Sequence, residues 1–344
     1  MVEDGRHNNS SLPNMSSALI DLPSRPKILL MRQDRIGDVF VSTPLFHALR
    51  QRFPDAQIDV LLSRNNKAAE FAIRSVVNNV HILRKNSLNM LRLLWRLRRE
   101  RYDLLVDLNH SASTTSNMLI SSAKAKHSIA LETNKPTPAT HIVLQGDRRT
   151  RHIVDVLCDL LLPIGIVIPQ SERQPRIMIR QEVRQHARSA LRIHEHERIL
   201  GVQISGSSND RMYPAESWRI VLTQIKNQLP DISIVVLSAP SEYEQAARLA
   251  EQVGARFVNP GNTYEHFAAA IAECDWLASP DTAAVHVAAA CNVPSVVLFT
   301  KDHRGYLNWM PYGSLCWPII TEQASLSAIP TTAVIDNVGA MVLG

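Results

Sequence analysis

One carboxylate of this chain lies where it could act as a general base. Residues 28–54 read ILLMRQDRIGDVFVSTPLFHALRQRFP. An apolar run ends at Met31, a polar loop follows, Gly37 permits a tight turn, and Asp38 opens a helical pattern. A carboxylate at the carboxyl end of a strand can take a proton from a hydroxyl group, whereas Asp before a helix is commonly its N-cap. The spacing leaves both interpretations of Asp38 open.

A second segment combines features that bind phosphate. Residues 278–300 read ASPDTAAVHVAAACNVPSVVLFT, where Asp281 follows an apolar run and Thr282 begins a helix of small residues. A helix N-terminus attracts a diphosphate because its free N–H groups and its dipole favour negative charge. His286 would lie one turn further on, within reach of a ligand there. The alternative is that Asp281 caps the helix and that His286 packs in the core.

A third segment, residues 201–218, reads GVQISGSSNDRMYPAESW. Its apolar run breaks into a turn of Gly, Ser and Asn, and Pro214 then leads into a helix. Ser207, Ser208 and Arg211 would lie at the edge of a cleft, where they can hydrogen-bond and neutralise phosphate oxygens.

Alternating strands and helices must position these three segments. The predicted strands are residues 27–31, 58–62, 80–83 and 104–108 in the first half, and 199–204, 232–237, 276–278 and 295–299 in the second. Helical patterns cover residues 216–229, 242–253 and 282–291. This alternation predicts βαβ units and parallel sheets. Doubly wound folds bind ligands at the carboxyl ends of their strands, so we expect a cleft bounded by the carboxyl ends of two sheets.

Two domains of ordinary size account for a chain of 344 residues. We predict an amino-terminal Rossmann-like domain over residues 26–169 and a carboxyl-terminal Rossmann-like domain over residues 198–344. A basic, polar connection would span residues 170–197. Residues 1–25 lack the apolar core of a signal peptide and are predicted to be a disordered leader. We therefore expect a cytoplasmic protein.

The composition argues against several classes of protein. With 45% hydrophobic and 20% charged residues the chain can bury sizeable cores, and it has no apolar run of about 18 residues that could span a membrane. The four cysteines are far apart and form no C-x-x-C pair, so we expect reduced thiols rather than a disulfide or a metal site. The first βα turn lacks G-x-G-x-x-G, which argues against a nicotinamide-dependent dehydrogenase.

A basic cluster marks the first half of a chain whose formal net charge is +5. Its members are Arg84, Lys85, Arg92, Arg96, Arg98, Arg99 and Arg101. Such a run can bind nucleic acid, a phosphorylated glycan or an anionic membrane surface, or it can be the solvated face of an amphipathic helix. No nucleic-acid-reading motif accompanies it, so nucleic acid is not expected as a partner. We therefore predict that the cluster recognises an anionic group, and both a phosphorylated glycan and a membrane surface stay open.

Together the three segments resemble glycosyltransferase family 9, the family of bacterial lipopolysaccharide heptosyltransferases. The resemblance covers about residues 27–313. The family pattern R-x-x-G-D…P…L-R…F-P appears as Arg32 or Arg35, Gly37, Asp38, Pro44, Leu49, Arg50, Phe53 and Pro54. The patterns Y-D-L-x-x-D-L, K-x-W-P and S-x-D-T-G-P-x-H-x-A-A appear at residues 102–108, 211–214 and 279–289. Arg211 replaces the family's Lys, and Ala283 and Ala284 replace its Gly-Pro.

The resemblance implies an α/β protein of GT-B fold, with two Rossmann-like domains whose parallel sheets face a central cleft. Residues 26–169 would form the acceptor-side domain, and residues 198–344 would form the nucleotide-sugar-binding domain. The resemblance also implies inverting transfer of a sugar, usually heptose from ADP-heptose, to a lipopolysaccharide core or related glycan. The basic cluster would then recognise this anionic acceptor, and peripheral contact with the inner membrane stays open. Asp38 would be the general base, and Arg211 would stabilise the leaving diphosphate. The predicted donor residues are Ser207, Ser208, Arg211, Glu242, Asp281, Thr282, Ala283 and His286, and the predicted acceptor residues are Arg35, Gly37, Arg84 and Lys85. We expect no cofactor and no metal, since the chain has no D-x-D sequence.

Two other functions stay open at this point. A sugar-nucleotide epimerase of GT-B fold would act on a nucleotide sugar without an acceptor. A catalytically silent sugar-nucleotide-binding protein is suggested by Ala283 and Ala284. If the family's Gly allows close approach of the backbone to the diphosphate, the methyl group of Ala283 would crowd it.

Overall fold

The fold consists of two parallel β-sheets, each built from its own half of the chain. The computed structural model describes residues 19–84, 86–111, 113–147, 150–257, 259–300 and 306–344. Lys85, one of the predicted acceptor residues, lies outside these ranges. Among the described residues, no helix is both long and apolar enough to cross a membrane.

The first sheet contains six strands: β1 (Lys27–Met31), β2 (Gln57–Ser63), β3 (Asn79–Leu83), β4 (Leu104–Asp107), β5 (His127–Leu131) and β6 (His141–Val143). Their order is β3-β2-β1-β4-β5-β6, and all neighbours are parallel. The helices of this half are α1 (Ile36–Arg52), α2 (Ser87–Glu100), α3 (Thr114–Ala123) and α4 (Ile153–Cys158). The order reverses between β1 and β4, so a crevice forms beyond the ends of these two strands.

The second sheet repeats this plan. Its strands are β7 (Arg198–Gln203), β8 (Ile232–Leu237), β9 (Arg256–Phe257), β10 (Trp276–Pro280), β11 (Ser295–Thr300) and β12 (Cys316–Thr321), in the order β12-β11-β10-β7-β8-β9. The remaining helices are α5 (Gln181–Ala190), α6 (Ala215–Gln228), α7 (Tyr243–Val253), α8 (Tyr264–Ala272), α9 (Ala283–Ala290), α10 (Tyr306–Trp309) and α11 (Thr331–Leu343). Here the order reverses between β7 and β10. Two doubly wound parallel sheets confirm the predicted α/β class.

The two domains share a packed interface between α1 and α9. Val39 and Phe40 of α1 belong to the same buried apolar cluster as Val287 of α9. A Cβ atom on Gly37 would lie 2.9 Å from Cδ2 of His286, so a side chain there would push the helices apart. Gly37 lies inside α1 and not in the preceding turn, and it is absent from the residues with positive φ. The prediction that Gly37 permits a tight turn is therefore wrong. Glycine is needed here for its small size, which lets α1 pack closely against α9.

An ion-pair network reinforces the same interface. Glu265 of α8 is buried, and its Oε2 lies 3.2 Å from Nη2 of Arg74 in the first domain. The same carboxylate oxygen lies 2.9 Å from Nη2 of Arg180, in the predicted connection. Because three separate parts of the chain meet at one buried carboxylate, this network favours one relative orientation of the domains.

The amino-terminal edge of the described chain packs on the first domain. Ile20 is buried in its apolar core, and its backbone N–H donates to the carbonyl of Pro163 at 2.8 Å. Part of the segment predicted as a leader therefore contributes to that core. The predicted boundaries at residues 25, 169 and 197 stay predictions.

Candidate active site

Asp38 lies in the first turn of α1, beyond the carboxyl end of β1. The helix begins at Ile36, so Asp38 is its third residue and not its first. Its Oδ2 accepts a hydrogen bond from the backbone N–H of Arg35 at 2.6 Å, which is the N3 half of a capping box. The N-cap of α1 is Arg35, so the interpretation of Asp38 as the N-cap is wrong, although its carboxylate does cap the helix from the third position. This capping does not exclude catalysis, since two carboxylate oxygens offer about four acceptor positions.

A buried guanidinium orients this carboxylate. Arg32 has no exposed surface, and its Nη2 donates to Oδ1 of Asp38 at 3.1 Å. Its Nε donates to the Asp38 carbonyl at 3.0 Å, and its Nη1 donates to the carbonyl of Leu108. Arg32 thus joins the loops that follow β1 and β4, at the reversal of strand order. The structure gives this orienting role to Arg32, whereas Arg35 is exposed and supplies the backbone cap.

A polar cluster beside Asp38 was missed by the sequence reasoning. Asp107 ends β4. Burial raises its pKa to about 6, although hydrogen bonds from Asn109 act in the opposite direction and lower it. The amide of Asn109 donates to Oδ1 of Asp107 at 2.6 Å, and its oxygen accepts from the backbone N–H of Gln33 at 3.1 Å. The second Asp of the Y-D-L-x-x-D-L segment is this Asp107, so its place at a strand end was the available signal.

The turn after β7 places Arg211 at the reversal point of the second sheet. A Cβ atom on Gly206 would collide with the carbonyl group of Arg211, so this turn closes only around glycine. Arg211 ends a short 3-10 helix, and its Nη1 lies 3.4 Å from Oγ of Ser207. Ser207 and Ser208 are exposed, where a ligand can reach them. Gly206 was not predicted as a site residue, although a glycine in the turn that follows a strand was the signal for it.

The helix α9 begins next to Arg211. Its N-cap is Thr282, whose Oγ1 accepts a hydrogen bond from the backbone N–H of Ala284 at 3.3 Å. The alternative in which Asp281 caps this helix is therefore wrong. Burial raises the pKa of Asp281 to about 6, and the charges of Arg211 and Arg35 oppose that shift. Because Arg35 belongs to the first domain, charges from both domains act on Asp281 across the cleft, and we call these three residues the charged group.

His286 faces the first domain. It is buried against Gly37, and its ring centroid lies 6.2 Å from that of Trp309. Burial lowers its pKa to about 4, with His152 adding to the shift and Asp38 opposing it, so the imidazole is neutral at pH 7. These surroundings match the core-packing alternative, and a contact between His286 and a donor stays a prediction.

Glu242 lies beyond β8, on the side of β7 away from Asp281. Its Oε2 accepts a hydrogen bond from Oγ of the buried Ser205 at 2.9 Å. That hydroxyl in turn accepts from the backbone N–H of Ala239 at 2.7 Å. The loops after β7 and β8 therefore hold Glu242 in place. Its predicted role near the donor nucleoside stays a prediction.

The basic cluster of the first half does not form one site. Arg84 is exposed directly after β3, at the carboxyl edge of the first sheet. Arg98 and Arg99 lie at the other end of α2, where they line a groove together with Lys27 at the start of β1. The 14 residues of α2 separate these ends by about 20 Å. The prediction that the whole cluster binds the acceptor is corrected to Arg84, with Lys85 outside the described residues.

Comparison with solved structures finds the same two-domain fold in proteins with less than a quarter of their residues identical. A glycosyltransferase of family 9 from Veillonella parvula is 20% identical, covers 92% of this chain and 97% of its own, and has a TM-score of 0.78. The E. coli ADP-heptose LPS heptosyltransferase II is 19% identical, with coverages of 92% and 98% and a TM-score of 0.73. The E. coli heptosyltransferase WaaC with ADP is 18% identical, with coverages of 91% and 99% and a TM-score of 0.71.

These similarities confirm the predicted GT-B arrangement of the two domains. A UDP-GlcNAc 2-epimerase from Methanocaldococcus jannaschii, 13% identical with coverages of 92% and 93%, reaches a TM-score of 0.54, so the fold alone does not separate transferases from epimerases. Comparison with curated proteins gives no significant match.

The family model described as glycosyltransferase family 9 (heptosyltransferase) matches residues 90–325. This range exceeds half of the chain and contains the segments of Arg211 and Asp281. The segment of Asp38 precedes it, and the structure brings that segment against α9. The chain therefore belongs to glycosyltransferase family 9, the heptosyltransferase family.

Proposed function

We propose that this protein is an inverting glycosyltransferase that moves heptose from ADP-heptose to a hydroxyl of a lipopolysaccharide core or related glycan. The observation that carries the proposal is that a candidate general base and candidate diphosphate-binding groups lie on the two sides of one domain interface. The Asp38 carboxylate lies at the reversal point of the first sheet, and Arg211 lies with the N-terminus of α9 at that of the second. Arg35 and Asp281 complete the charged group across the cleft. Membership of the family supports this assignment.

In this mechanism Asp38 takes the proton of the acceptor hydroxyl as its oxygen attacks the anomeric carbon. The bond between that carbon and the diphosphate breaks, and attack from the opposite face inverts the configuration. Arg211 and the N–H groups at the start of α9 stabilise the charge that develops on the leaving diphosphate. These groups replace the divalent ion that other glycosyltransferases use, so we propose that the reaction needs no metal.

A thermal-shift panel tests the donor assignment. Matched ADP-, GDP- and UDP-sugars are compared, since a ligand that binds the native state raises the unfolding temperature by mass action. We expect the largest shift with ADP-sugars. A shift with UDP-sugars alone would contradict the ADP assignment and favour an epimerase-like site, and no shift with any of them would contradict a nucleotide-sugar site.

The pKa of Asp281 predicts a pH dependence of donor binding. Burial raises this pKa to about 6, against the opposing charges of Arg211 and Arg35. Below that pH the carboxyl group is neutral and the two guanidinium groups attract the diphosphate, whereas above it the carboxylate repels the diphosphate. Affinity for an ADP-sugar should therefore rise as the pH falls from about 7 to about 5, by less than tenfold per pH unit because one proton is linked.

Calorimetric titration of the wild type and of Asp281→Asn measures this linkage. The Asn variant should bind with an affinity that is nearly constant over the same range. A flat wild-type profile, or a dependence that persists in Asp281→Asn, would show that another group controls the pH response.

The methyl group of Ala283 provides a test of the family's Gly-Pro replacement. The Ala283 Cβ lies 3.6 Å from the position that a Cβ on Gly37 would occupy, so the methyl group faces α1. Ala283→Gly should lower the free energy of unfolding by up to about 1 kcal/mol and leave ADP-sugar affinity unchanged or weaker. Thermal unfolding and calorimetry measure both effects. A marked gain in ADP-sugar affinity would instead show that the methyl group crowds the diphosphate.

A further inference from the structure

The helix α2 presents large apolar side chains to the solvent. Leu88, Leu91 and Trp95 are 58%, 64% and 64% exposed, and their spacing of three and four residues places them on one face. The opposite face carries Leu93 and Leu97, which are buried in the core between α2 and the first sheet. The exposed residues are therefore a surplus beyond what the fold needs, and together they form a continuous apolar stripe.

Arginines border this apolar stripe on both sides. With 3.6 residues per turn, Arg98 lies along one side, and Arg92, Arg96 and Arg99 lie along the other. All four are exposed. The guanidinium of Arg99 lies 5.2 Å from the centroid of the Trp95 ring. An apolar centre with cationic margins is the pattern of helices that lie in a membrane interface, where Trp occupies the headgroup level and Arg contacts the phosphates.

Negative charge is scarce on this surface. The helix contains one acidic residue, Glu100, and its carboxylate pairs with Nζ of Lys27 at 3.2 Å. The groove at the end of α2 adds Arg25, Arg101 and Lys124 to the cationic margin. It also contains Asp103, whose carboxylate pairs with Nζ of Lys126 at 2.6 Å, and Arg25 lies 3.5 Å from the carboxylate of Asp55, so neither acidic residue is without a cation. A surface of this charge is complementary to anionic phospholipid headgroups. A site for a free phosphate would need only the cationic residues, so the exposed leucines favour a lipid bilayer as the ligand.

We propose that α2 docks the protein on an anionic lipid bilayer, with Leu88, Leu91 and Trp95 entering the interface and the flanking arginines contacting lipid phosphates. This inference rests on the proposed function in one respect, since a glycolipid acceptor would be presented from that bilayer. The amino-terminal end of α2 lies next to Arg84, at the sheet edge that carries the acceptor side of the cleft. Docking through α2 keeps that edge close to the membrane surface.

Vesicle sedimentation with the full chain tests the docking surface. Wild type should bind vesicles that contain phosphatidylglycerol, bind neutral phosphatidylcholine vesicles at least tenfold more weakly, and detach as salt is raised. The double variant Leu91→Ser/Trp95→Ser and the triple variant Arg92→Gln/Arg96→Gln/Arg99→Gln should each lose at least tenfold in vesicle affinity. Controls are Leu315→Ser, at an equally exposed leucine of the second domain, and Arg248→Gln on α7; both should bind like wild type.

Activity separates this proposal from the proposed function. On a lipid-free oligosaccharide acceptor the α2 variants should match wild type, whereas on acceptor embedded in vesicles they should be slower. Failure of wild type to transfer sugar to either acceptor would contradict the proposed function and leave the vesicle result to decide on docking. Docking is overturned if wild type does not bind anionic vesicles, if the α2 variants bind as wild type does, or if analytical ultracentrifugation shows that the α2 face joins two copies of the chain.

Discussion

Replacing Asp38 by Asn should lower the turnover number by about a hundredfold or more while leaving donor affinity within a few-fold of wild type. Asn keeps the shape of the side chain but cannot take the proton of the acceptor hydroxyl. The donor groups, Arg211 and the start of α9, belong to the other domain and do not depend on that proton. Steady-state kinetics with both substrates, together with calorimetry of donor binding, separate the two effects.

The structure adds a cost in stability that the sequence alone did not suggest. From the sequence alone, which places Asp38 at the start of a helix, Asp38→Asn is expected to fold nearly as well as wild type. In the structure, however, Asp38 is 4% exposed and pairs with the fully buried Arg32. The amide oxygen can still accept one hydrogen bond but carries no charge, so we expect a loss of about 1–3 kcal/mol in the free energy of unfolding. Turnover must therefore be measured where circular dichroism shows the variant to be folded.

A matched variant controls for the substitution itself. Asp55 lies in the same domain, is exposed, and forms only a surface pair with Arg25, so Asp55→Asn should leave both turnover and stability unchanged. Wild-type turnover in a folded Asp38→Asn protein would mean that Asp38 serves only to cap α1 and orient Arg32.

Replacing Arg211 by Ala should lower the turnover number by about a hundred- to a thousandfold, the usual effect of removing one group that stabilises developing negative charge. Donor affinity should fall as well, because Arg211 already carries its charge before the reaction begins. Arg211→Lys should keep more activity than Arg211→Ala, since Lys restores the cation that the family pattern has at this position. It should not equal wild type, because Lys lacks the planar fork of the guanidinium.

The surroundings of Arg211 provide an independent readout. Its charge opposes the rise in the pKa of Asp281. Arg211→Ala should therefore shift the pH dependence of donor binding to higher pH, which a merely structural defect would not do. Arg219→Ala, on α6 and paired at the surface with Glu216, is the control and should leave kinetics unchanged. Full activity of Arg211→Ala would remove Arg211 from the mechanism.

The sequence predicted the strands that are mostly apolar and missed the rest. All eight predicted strands are present, with bounds that shift by at most two residues, because parallel strands covered on both faces read as nearly continuous apolar runs. The missed strands are β5, β6, β9 and β12. β6 and β9 have three and two residues, too few for a pattern. β5 begins with a polar His127–Ser128 pair, and β12 is an edge strand that tolerates Pro318.

For the candidate site, the sequence predicted which side chains could transfer a proton or bind a phosphate, but not how these side chains face each other. Asp38 and Arg211 were selected as candidates because each lies in the segment that follows a strand, which is a local pattern. The burial of Arg32, the approach of Gly37 to His286 and the charged group of Arg35, Arg211 and Asp281 depend on contacts between distant segments. No local periodicity encodes those contacts. They arise only when α1 and α9 pack, so the structure was needed to find them.

The most direct test of the proposed function is product analysis with ADP-heptose, with and without a lipopolysaccharide-core acceptor, in buffer that contains excess EDTA. Mass spectrometry should show that the acceptor gains one heptose unit while ADP is released in equal amount, and NMR should show that the anomeric configuration is inverted. Without acceptor, the donor should persist. Conversion of the nucleotide sugar to an epimer in the absence of acceptor, or donor binding without turnover on any acceptor, would contradict the account.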